Sequence, residues 1–505
     1  MQQTEPRLNP LLVLILAPLA GAMVTASLAP IDIWPAGILS CVIYAYLLST
    51  CTTSTAMWRG WLYGLGMFGT GISWVYVSIQ VHGHTSVPFA IVLTALFCAA
   101  LALLHALFAG CYVRFVRSLP GGMLIGFPAL WVIFEWVRDW FLTGFPWLYL
   151  GYAHVDTWIS GWAPITGVFG LSFICALTGT CIFLGLRSRQ LISVTTYAVV
   201  VITLWGGGAI LTPIQWVARA SEQPLHIAIV QPNVAQEHKW DPEQYRPIIR
   251  QLRELTEPLM GKDIVIWPES AIPNYLQRAH GFLDLIAEPA ADAKTTVITG
   301  IPFRPEGSKE YFNSITAIGY GEGVYLKQRL VPFGEYLPLE NLLRGLIDFF
   351  DLPMSSFSSG PDNQKPLRAG PYRVAPFICY EIVYGNLVAS SSRNTDVIIT
   401  ISNDSWFGKS IGPLQHLQIA QMRGRENGRY VLRATNNGVS AIIDHQGRIL
   451  KRTDQFVEEV LIGEAEVMLG HTPFGSFGTM PIIAACFGTL LLMALMYVGF
   501  WRDSE

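Results

Sequence analysis

Much of the first half of this chain cannot remain in water. Apolar stretches of the length that crosses a bilayer, about 20 residues, begin near Leu11, Trp34, Trp58, Pro88, Met123, Gly161 and Leu191, and one more runs from Met480 to Trp501. The first lysine is Lys239, and from there to about residue 460 charged and polar residues come at ordinary density. The chain is 51% hydrophobic and 14% charged, against about 25% charge in soluble domains. This pattern predicts a membrane α-helical bundle of eight transmembrane helices: seven within residues 1–212, a water-facing block over 213–475, and a last span in 476–505. A net charge of -3 without any basic run argues against nucleic acid as a partner, because phosphate binding needs clustered Lys and Arg.

Loop charge orients the spans, since cytoplasmic loops retain Lys and Arg. Arg7, Arg59, Arg114 with Arg117, Arg187 with Arg189, and Arg502 fall on the N-terminal tail, every second loop and the C-terminal tail; the alternate loops hold none. Seven spans from a cytoplasmic start leave the polar block outside. A cleaved signal peptide over Leu11–Pro30 is the alternative for the first span and would not invert the rest. Gly60, Gly64, Gly66, Gly69 and Gly71 are read as close-packing positions between helices. Glu135, Arg138 and Asp139 end the fifth span just before an aromatic loop, Gly144–Tyr149. Charges at that depth face a partner or a wet cavity, so the group is either an interfacial anchor, with Trp147 and Tyr149 in an aromatic belt, or the edge of a lipid-entry cleft that includes Trp147.

From Leu225 onward short β-rich runs alternate with helical patterns, as in an α/β sheet domain. Strands are expected over Leu225–Val230, Asp263–Trp267, Thr296–Gly300, Asn313–Ile318, Val374–Cys379, Asp396–Ile401 and Gly438–Ile443. Helices are expected over Pro242–Leu259, Leu276–Ala291 and Pro413–Asn427. Three strands end in polar residues, at Glu269-Ser270, Cys379-Tyr380-Glu381 and Asn403-Asp404-Ser405, and sites in α/β sheets gather at such ends.

Of the eight cysteines, seven (Cys41, Cys51, Cys98, Cys111, Cys175, Cys181 and Cys486) lie in or beside apolar spans, and Cys379 alone lies in the polar block. A lone cysteine in an oxidising compartment has no disulfide partner there. It is either a small buried hydrophobe or a reactive thiol, and its place at a strand end favours the second. H-E-x-x-H, C-x-x-C and G-x-S-x-G are all missing from the sequence, so a zincin, a dithiol centre and an ordinary serine hydrolase lack their signatures. His82 and His84 are read as a polar loop, because two ligands do not make a metal site. His416 is either a base for Cys379 or a helix-surface histidine. No cofactor and no metal is expected.

Three motifs then stand in order: Trp267-Pro268-Glu269-Ser270, the run from Tyr325 through Lys327 and Glu335 to Tyr336, and Ile378-Cys379-Tyr380-Glu381. Together they resemble the Glu-Lys-Cys constellation of the nitrilase superfamily, and Asn403–Gly408 and Arg433–Gly438 fit as well. With eight spans framing the domain, the chain is similar over nearly its whole length to the bacterial apolipoprotein N-acyltransferase family. The resemblance implies a nitrilase-like αββα sandwich, held periplasmic on the cell inner membrane. It implies Glu269 as base, Lys327 as cation and Cys379 as nucleophile, with Glu335, Glu381, Tyr380, Trp240 and Asn313 as supporting or substrate-binding residues. It also implies the partners: a phospholipid acyl donor such as phosphatidylethanolamine, a diacylated apolipoprotein acceptor and surrounding membrane lipid, with the chain acting as a monomer. The sn-1 acyl chain would pass through a Cys379 thioester to the acceptor's terminal amine, in ping-pong order.

The residue types suit that chemistry by themselves. A thiolate is the effective nucleophile, and a free thiol with a pKa of about 8.5 needs a base and a nearby cation at neutral pH. Glu269, beside Trp267 and Pro268, is placed partly out of water, which strengthens it as a base. Lys327 can balance the thiolate and then the oxyanion of the tetrahedral intermediate. The apolar run Leu346–Met354, with Phe349 and Phe350, reads as a lid that dips into lipid or as an ordinary core helix. Two rival readings are a membrane-tethered amidase using the same residues and a non-enzymatic transporter or lipoprotein-binding scaffold. The sequence has no paired inverted repeats with broken helices, the mark of many transporters.

Overall fold

The computed structural model describes residues 9–332, 334–336 and 357–502. The chain forms two compact units: one takes the residues up to Tyr76, Ser86–Ile214 and those from Phe477 onward, the other Val77–Thr85 and Gln215–Ser476.

The first unit is helical, with α1 (Pro10–Ser27), α2 (Trp34–Leu48), α3 (Thr53–Gly71), α4 (Val87–Cys111), α5 (Phe127–Trp140), α6 (Ala163–Arg187) and α7 (Leu191–Leu211), and a C-terminal helix, Met480–Arg502. Eight helices thus stand where eight apolar stretches were read. By length and composition, however, five of the described helices can cross a bilayer, or six if the broken helix that starts at Thr53 counts as one span; α2 is shorter. Close packing explains most of the α3 glycines. A Cβ on Gly64 would come 2.7 Å from Ala102 Cα of α4, whereas one on Gly69 would meet nothing within 4 Å, so that position owes its glycine to no close approach.

Glu135 and Arg138 face partners inside this unit. Glu135 Oε1 accepts hydrogen bonds from Trp131 Nε1 and from the Leu150 amide, both at 3.0 Å. The Arg138 guanidinium stacks over Tyr149 and Phe68, 4.9 and 5.4 Å from the ring centroids. The pair ties α5 to the aromatic segment that follows it. Trp147 is 2% exposed and packs against Trp74, and Tyr149 is buried too. Neither ring has the exposed face that an aromatic belt requires, which corrects the anchor reading for both.

The second unit is an α/β sandwich. Its strands are β1 (Ala218–Arg219), β2 (Leu225–Gln231), β3 (Ile264–Ile266), β4 (Thr296–Gly300), β5 (Ser314–Gly319), β6 (Gly321–Glu322), β7 (Val324–Leu326), β8 (Leu367–Ala369), β9 (Tyr372–Ile378), β10 (Val397–Ser402), β11 (Val431–Thr435), β12 (Ala441–Ile443), β13 (Ile449–Arg452), β14 (Glu459–Ala465) and β15 (Met468–Leu469). Among the described residues a six-stranded sheet runs β14-β2-β3-β4-β5-β7 and a seven-stranded sheet β13-β12-β11-β10-β9-β8-β6, with β1 and β15 paired apart. The pairs β2-β3, β3-β4, β9-β10 and β10-β11 are parallel and the rest antiparallel.

Alternation along the strands builds the layers, because successive side chains point to opposite faces. On β2, Ile227 and Ile229 join Ile264, Ile266, Ile399, Ile401 and Leu432 in a core between the two sheets. Ala228 and Val230 point the other way and join Val265, Trp267 and Val297 against α8 (Tyr245–Thr256) and α9 (His280–Asp292). α8 presents Ile248, Leu252 and Thr256, four residues apart, as its buried stripe. Beside the other sheet lie α10 (Gly385–Ser392) and α11 (Gly412–Asn427). α11 stops at Gly428, where φ of +62° gives the left-handed cap that glycine adopts freely.

Candidate active site

Four strand ends converge on one site. β3 runs into Trp267-Pro268-Glu269, β7 into Lys327, β9 into Cys379 and β10 into Asn403-Asp404. Ser314 of β5 pairs with Leu326 of β7, which sets Asn313 opposite Lys327, and the Lys327 amide donates to Asn313 O at 2.9 Å. The chain turns sharply at two of these ends, since Cys379 has φ +52° and Ser270 φ +46°. Side-chain-bearing residues adopt that left-handed conformation only where their surroundings hold them, and such residues cluster at functional sites.

The polar side chains are buried and bonded to one another. Asn313 Nδ2 donates to Glu269 Oε1 at 2.7 Å and to Glu335 Oε1 at 3.0 Å. Glu269 Oε2 accepts the Asn403 amide at 2.8 Å. Lys327 Nζ lies 2.8 Å from Glu335 and 3.7 Å from Glu269 Oε1, with its side chain 1% exposed. Glu335 Oε2 also accepts the Val331 amide at 2.9 Å. The half-buried Cys379 thiol shares this environment. Enclosure and then the Glu269 charge push its pKa well up, and Lys327 offsets only part of this. Burial alone would lower the Lys327 ammonium's pKa, but Glu335, Glu269 and Cys379 outweigh it and hold it above the ordinary lysine range. The site thus sets a thiol held toward its neutral form and a firm cation beside the side chains of Glu269 and Glu335. That set can pass a thiol proton to a carboxylate while a cation waits for developing negative charge.

The remaining expected residues fall in different places. Glu381 is fully buried. It accepts from Tyr325 Oη (2.9 Å), the Gln328 and Arg329 amides (2.6 and 3.2 Å) and the Ile378 amide (2.8 Å), so it braces the Cys379 turn against the Lys327 turn. Its burial pushes its pKa up to about 7 against the pull of the Ile378 amide and Lys327. Tyr380 is 8% exposed and stands edge-on to Tyr384. Trp240 is 41% exposed, on the turn after Gln236–Lys239. Phe349 and Phe350 lie outside the described residues. His416 is not on a helix surface: nearly all of α11 is buried, and its ring is 1% exposed. Nor does it serve the thiol as drawn, because its Nε2 meets the Cys379 carbonyl oxygen at 3.1 Å. His82, read as a loop residue, lies against Ser405 O (3.0 Å) and the Trp406 ring. Among the described residues no three His, Cys, Asp or Glu side chains form a group that could hold a metal.

Three buried groups have no role of their own in the sequence pattern, although Asp404 and Arg433 stand in segments that it singles out. Lys239 is 2% exposed and donates from Nζ to the Glu269 carbonyl at 2.9 Å. Arg433 and Asp404, both fully buried, pair at 2.6 Å. An arginine inside the apolar strand Val431–Thr435 is itself a signal, since a charge on a buried strand needs a buried partner.

Residues 20–181 match the family model described as the apolipoprotein N-acyltransferase N-terminal domain, and residues 226–471 match the one for carbon-nitrogen hydrolases. A Pseudomonas paraeruginosa protein named apolipoprotein N-acyltransferase is 46% identical, with 95% of this chain and 95% of that one covered. The chain belongs to the apolipoprotein N-acyltransferase family. A Coxiella burnetii protein of the same name is 38% identical over 95% of this chain and 99% of its own. A solved carbon-nitrogen hydrolase superfamily structure from Xanthomonas campestris covers 48% of this chain and 91% of that chain at 19% identity and TM-score 0.37; the assignment stands on the full-length relatives. As a member of the apolipoprotein N-acyltransferase family, the chain is an acyltransferase that carries its carbon-nitrogen hydrolase fold in the C-terminal half and several apolar helices in the N-terminal half.

Proposed function

We propose that this chain moves an sn-1 fatty-acyl group from a phospholipid, phosphatidylethanolamine in the first instance, to the terminal amine of a diacylglyceryl-cysteine on an apolipoprotein. The observation that carries the reading is the grouping of Cys379, Glu269 and Lys327 at converging strand ends of a family member. Residues 1–212 would supply seven spans, 213–475 the catalytic domain on the periplasmic side of the inner membrane, and 476–505 the eighth span. The alternating arginines support that orientation.

In the first step Glu269 takes the thiol proton as Cys379 sulfur attacks the ester carbonyl, and Lys327 faces the oxyanion. The carbon-oxygen bond breaks, the proton passes from Glu269 to the leaving alkoxide, and lysophospholipid departs from the thioester. In the second step the acceptor amine attacks the thioester carbonyl. The carbon-sulfur bond breaks, an amide forms, and the amine proton returns through Glu269 to sulfur. Glu335 pins Lys327, and Asn313 holds the two carboxylates in register.

Purified enzyme mixed with phosphatidylethanolamine and a diacylated lipopeptide should yield triacylated peptide and lysophospholipid. The enzyme isolated with donor alone should carry a hydroxylamine-labile acyl group on Cys379. Full transfer by Cys379→Ala would end the proposal, and free fatty acid or ammonia in place of triacylated peptide would favour a hydrolase.

A further inference from the structure

The left-handed turn at Cys379 aims the thiol, and something must hold it there. α11 runs behind that turn, and its His416 places Nε2 3.1 Å from the Cys379 carbonyl oxygen. A carbonyl can only accept, so Nε2 carries the hydrogen. Nδ1 faces the Arg433 Nη2, a donor, at 3.2 Å and the Asp404 Oδ1, an acceptor, at 3.4 Å. The hydrogen on Nε2 is set by the Cys379 carbonyl alone. Burial and Arg433 lower the ring's pKa against the pull of Asp404, which keeps it neutral.

The same Nη2 donates to Asp404 Oδ2 at 2.6 Å, and Asp404 Oδ1 accepts from Ser402 Oγ at 2.5 Å. One residue earlier, the Asn403 amide donates to Glu269 Oε2. A single buried network therefore joins the backbone of the nucleophile's turn to the strand end that orients Glu269.

We propose that His416 is a positioning residue: its Nε2-H grips the Cys379 carbonyl and, through Arg433 and Asp404, holds the thiol's turn in register with Glu269. No proton passes between His416 and the thiol. This rests on the acyl-transfer reading above, in which Cys379 and Glu269 must meet.

The test uses the full-length protein in detergent with phosphatidylethanolamine and a diacylated lipopeptide. His416→Leu removes the donor, and His416→Gln keeps an amide N-H that can reach the same carbonyl. We expect thioester formation on the order of 100-fold slower in His416→Leu, with KM for the phospholipid unchanged, and most of the rate recovered in His416→Gln. Native-rate acylation by His416→Leu overturns the inference. So does a His416→Gln variant that melts like the native enzyme yet fails to acylate, since the imidazole itself would then be required; that result decides the matter even where His416→Leu does not fold. Cys379→Ala runs alongside: if it still transfers acyl groups the parent reading falls, whereas an inactive Cys379→Ala beside a native-rate His416→Leu removes this inference alone.

Discussion

Lys327 Nζ stands 2.8 Å from each carboxylate oxygen of Glu335. A lysine held in this fork is neutralised by Glu335, which leaves Glu269, 3.7 Å from the same nitrogen, able to accept a proton. In Glu335→Gln the ammonium loses its charged partner and is drawn to Glu269, turning the proposed base into an ion-pair acceptor. Single-turnover acylation should slow by about 100-fold or more with little change in melting temperature. An unchanged acylation rate would remove Glu335 from the machinery.

Glu269 has two opposed effects on Cys379. Its charge raises the thiol's pKa, yet in the proposed mechanism it takes the thiol proton. Glu269→Gln should therefore lower the thiol's pKa, bringing the rise of iodoacetamide labelling to lower pH, while thioester formation from phospholipid collapses. In the native protein, labelling at about pH 7 should be slower than for an unperturbed thiol, whose pKa is about 8.5. A base that acted only by electrostatic activation would give the reverse, with labelling and acylation falling together.

The legibility of this chain follows the reach of its signals. A strand with a compact apolar pattern, such as Thr296–Gly300, coincides with the observed element to the residue, and the motifs around Glu269, Lys327 and Cys379 come together at one candidate site. What stayed hidden lacks such a signal. Polar α11 reads as a surface helix because its charges are met where the local pattern does not show it: buried Arg423 pairs with buried Glu426 at 2.8 Å, and Arg425 donates to the Gln446 carbonyl at 2.8 Å. Strand β14, Glu459–Ala465, lies at an edge, and its short apolar run Val460–Ile462 is cut off by Gly463 and flanked by glutamates. The span count suffered from the opposite problem: apolar composition marks a helix but does not fix whether a 15-residue segment such as α2 crosses a bilayer.

Gly300 ends β4 directly behind Glu269. A Cβ there would lie 2.6 Å from the Ser270 amide nitrogen and 2.7 Å from Glu269 Cα, both backbone atoms that cannot swing aside. Gly300→Ala should displace Glu269 and slow acylation on the order of 100-fold. Normal acylation would mean that the Glu269 backbone yields more readily than its packing indicates.

Asp404 and Arg433 test the stability side. Burial alone would push the Asp404 carboxyl up, but the Arg433 guanidinium beside it holds it well below the usual carboxylate range. Asp404→Asn strands a buried guanidinium and should cost about 3–5 kcal/mol, seen as a clear fall in melting temperature. Replacing Asp404 and Arg433 together by Asn and Met should cost less than Asp404→Asn alone. Equal losses would show that the charge pair is not what the fold depends on there.

Lys239 gives a pH dependence of defined sign. Burial lowers its pKa from 10.5 to about 8, against the pull of Glu269. Between those two values the unfolded chain binds the proton that the folded chain has released, so stability rises with pH across the window. The increment is fully present above the unfolded value and is lost as pH falls through about 8, amounting to roughly 3 kcal/mol. Lys239→Met lacks this linkage. The melting temperature of the native protein relative to Lys239→Met should therefore climb from about pH 8 to 10.5, while groups that titrate in both proteins cancel from the comparison. A flat difference would mean that Lys239 remains charged in the fold and that its bond to the Glu269 carbonyl is an ammonium contact throughout.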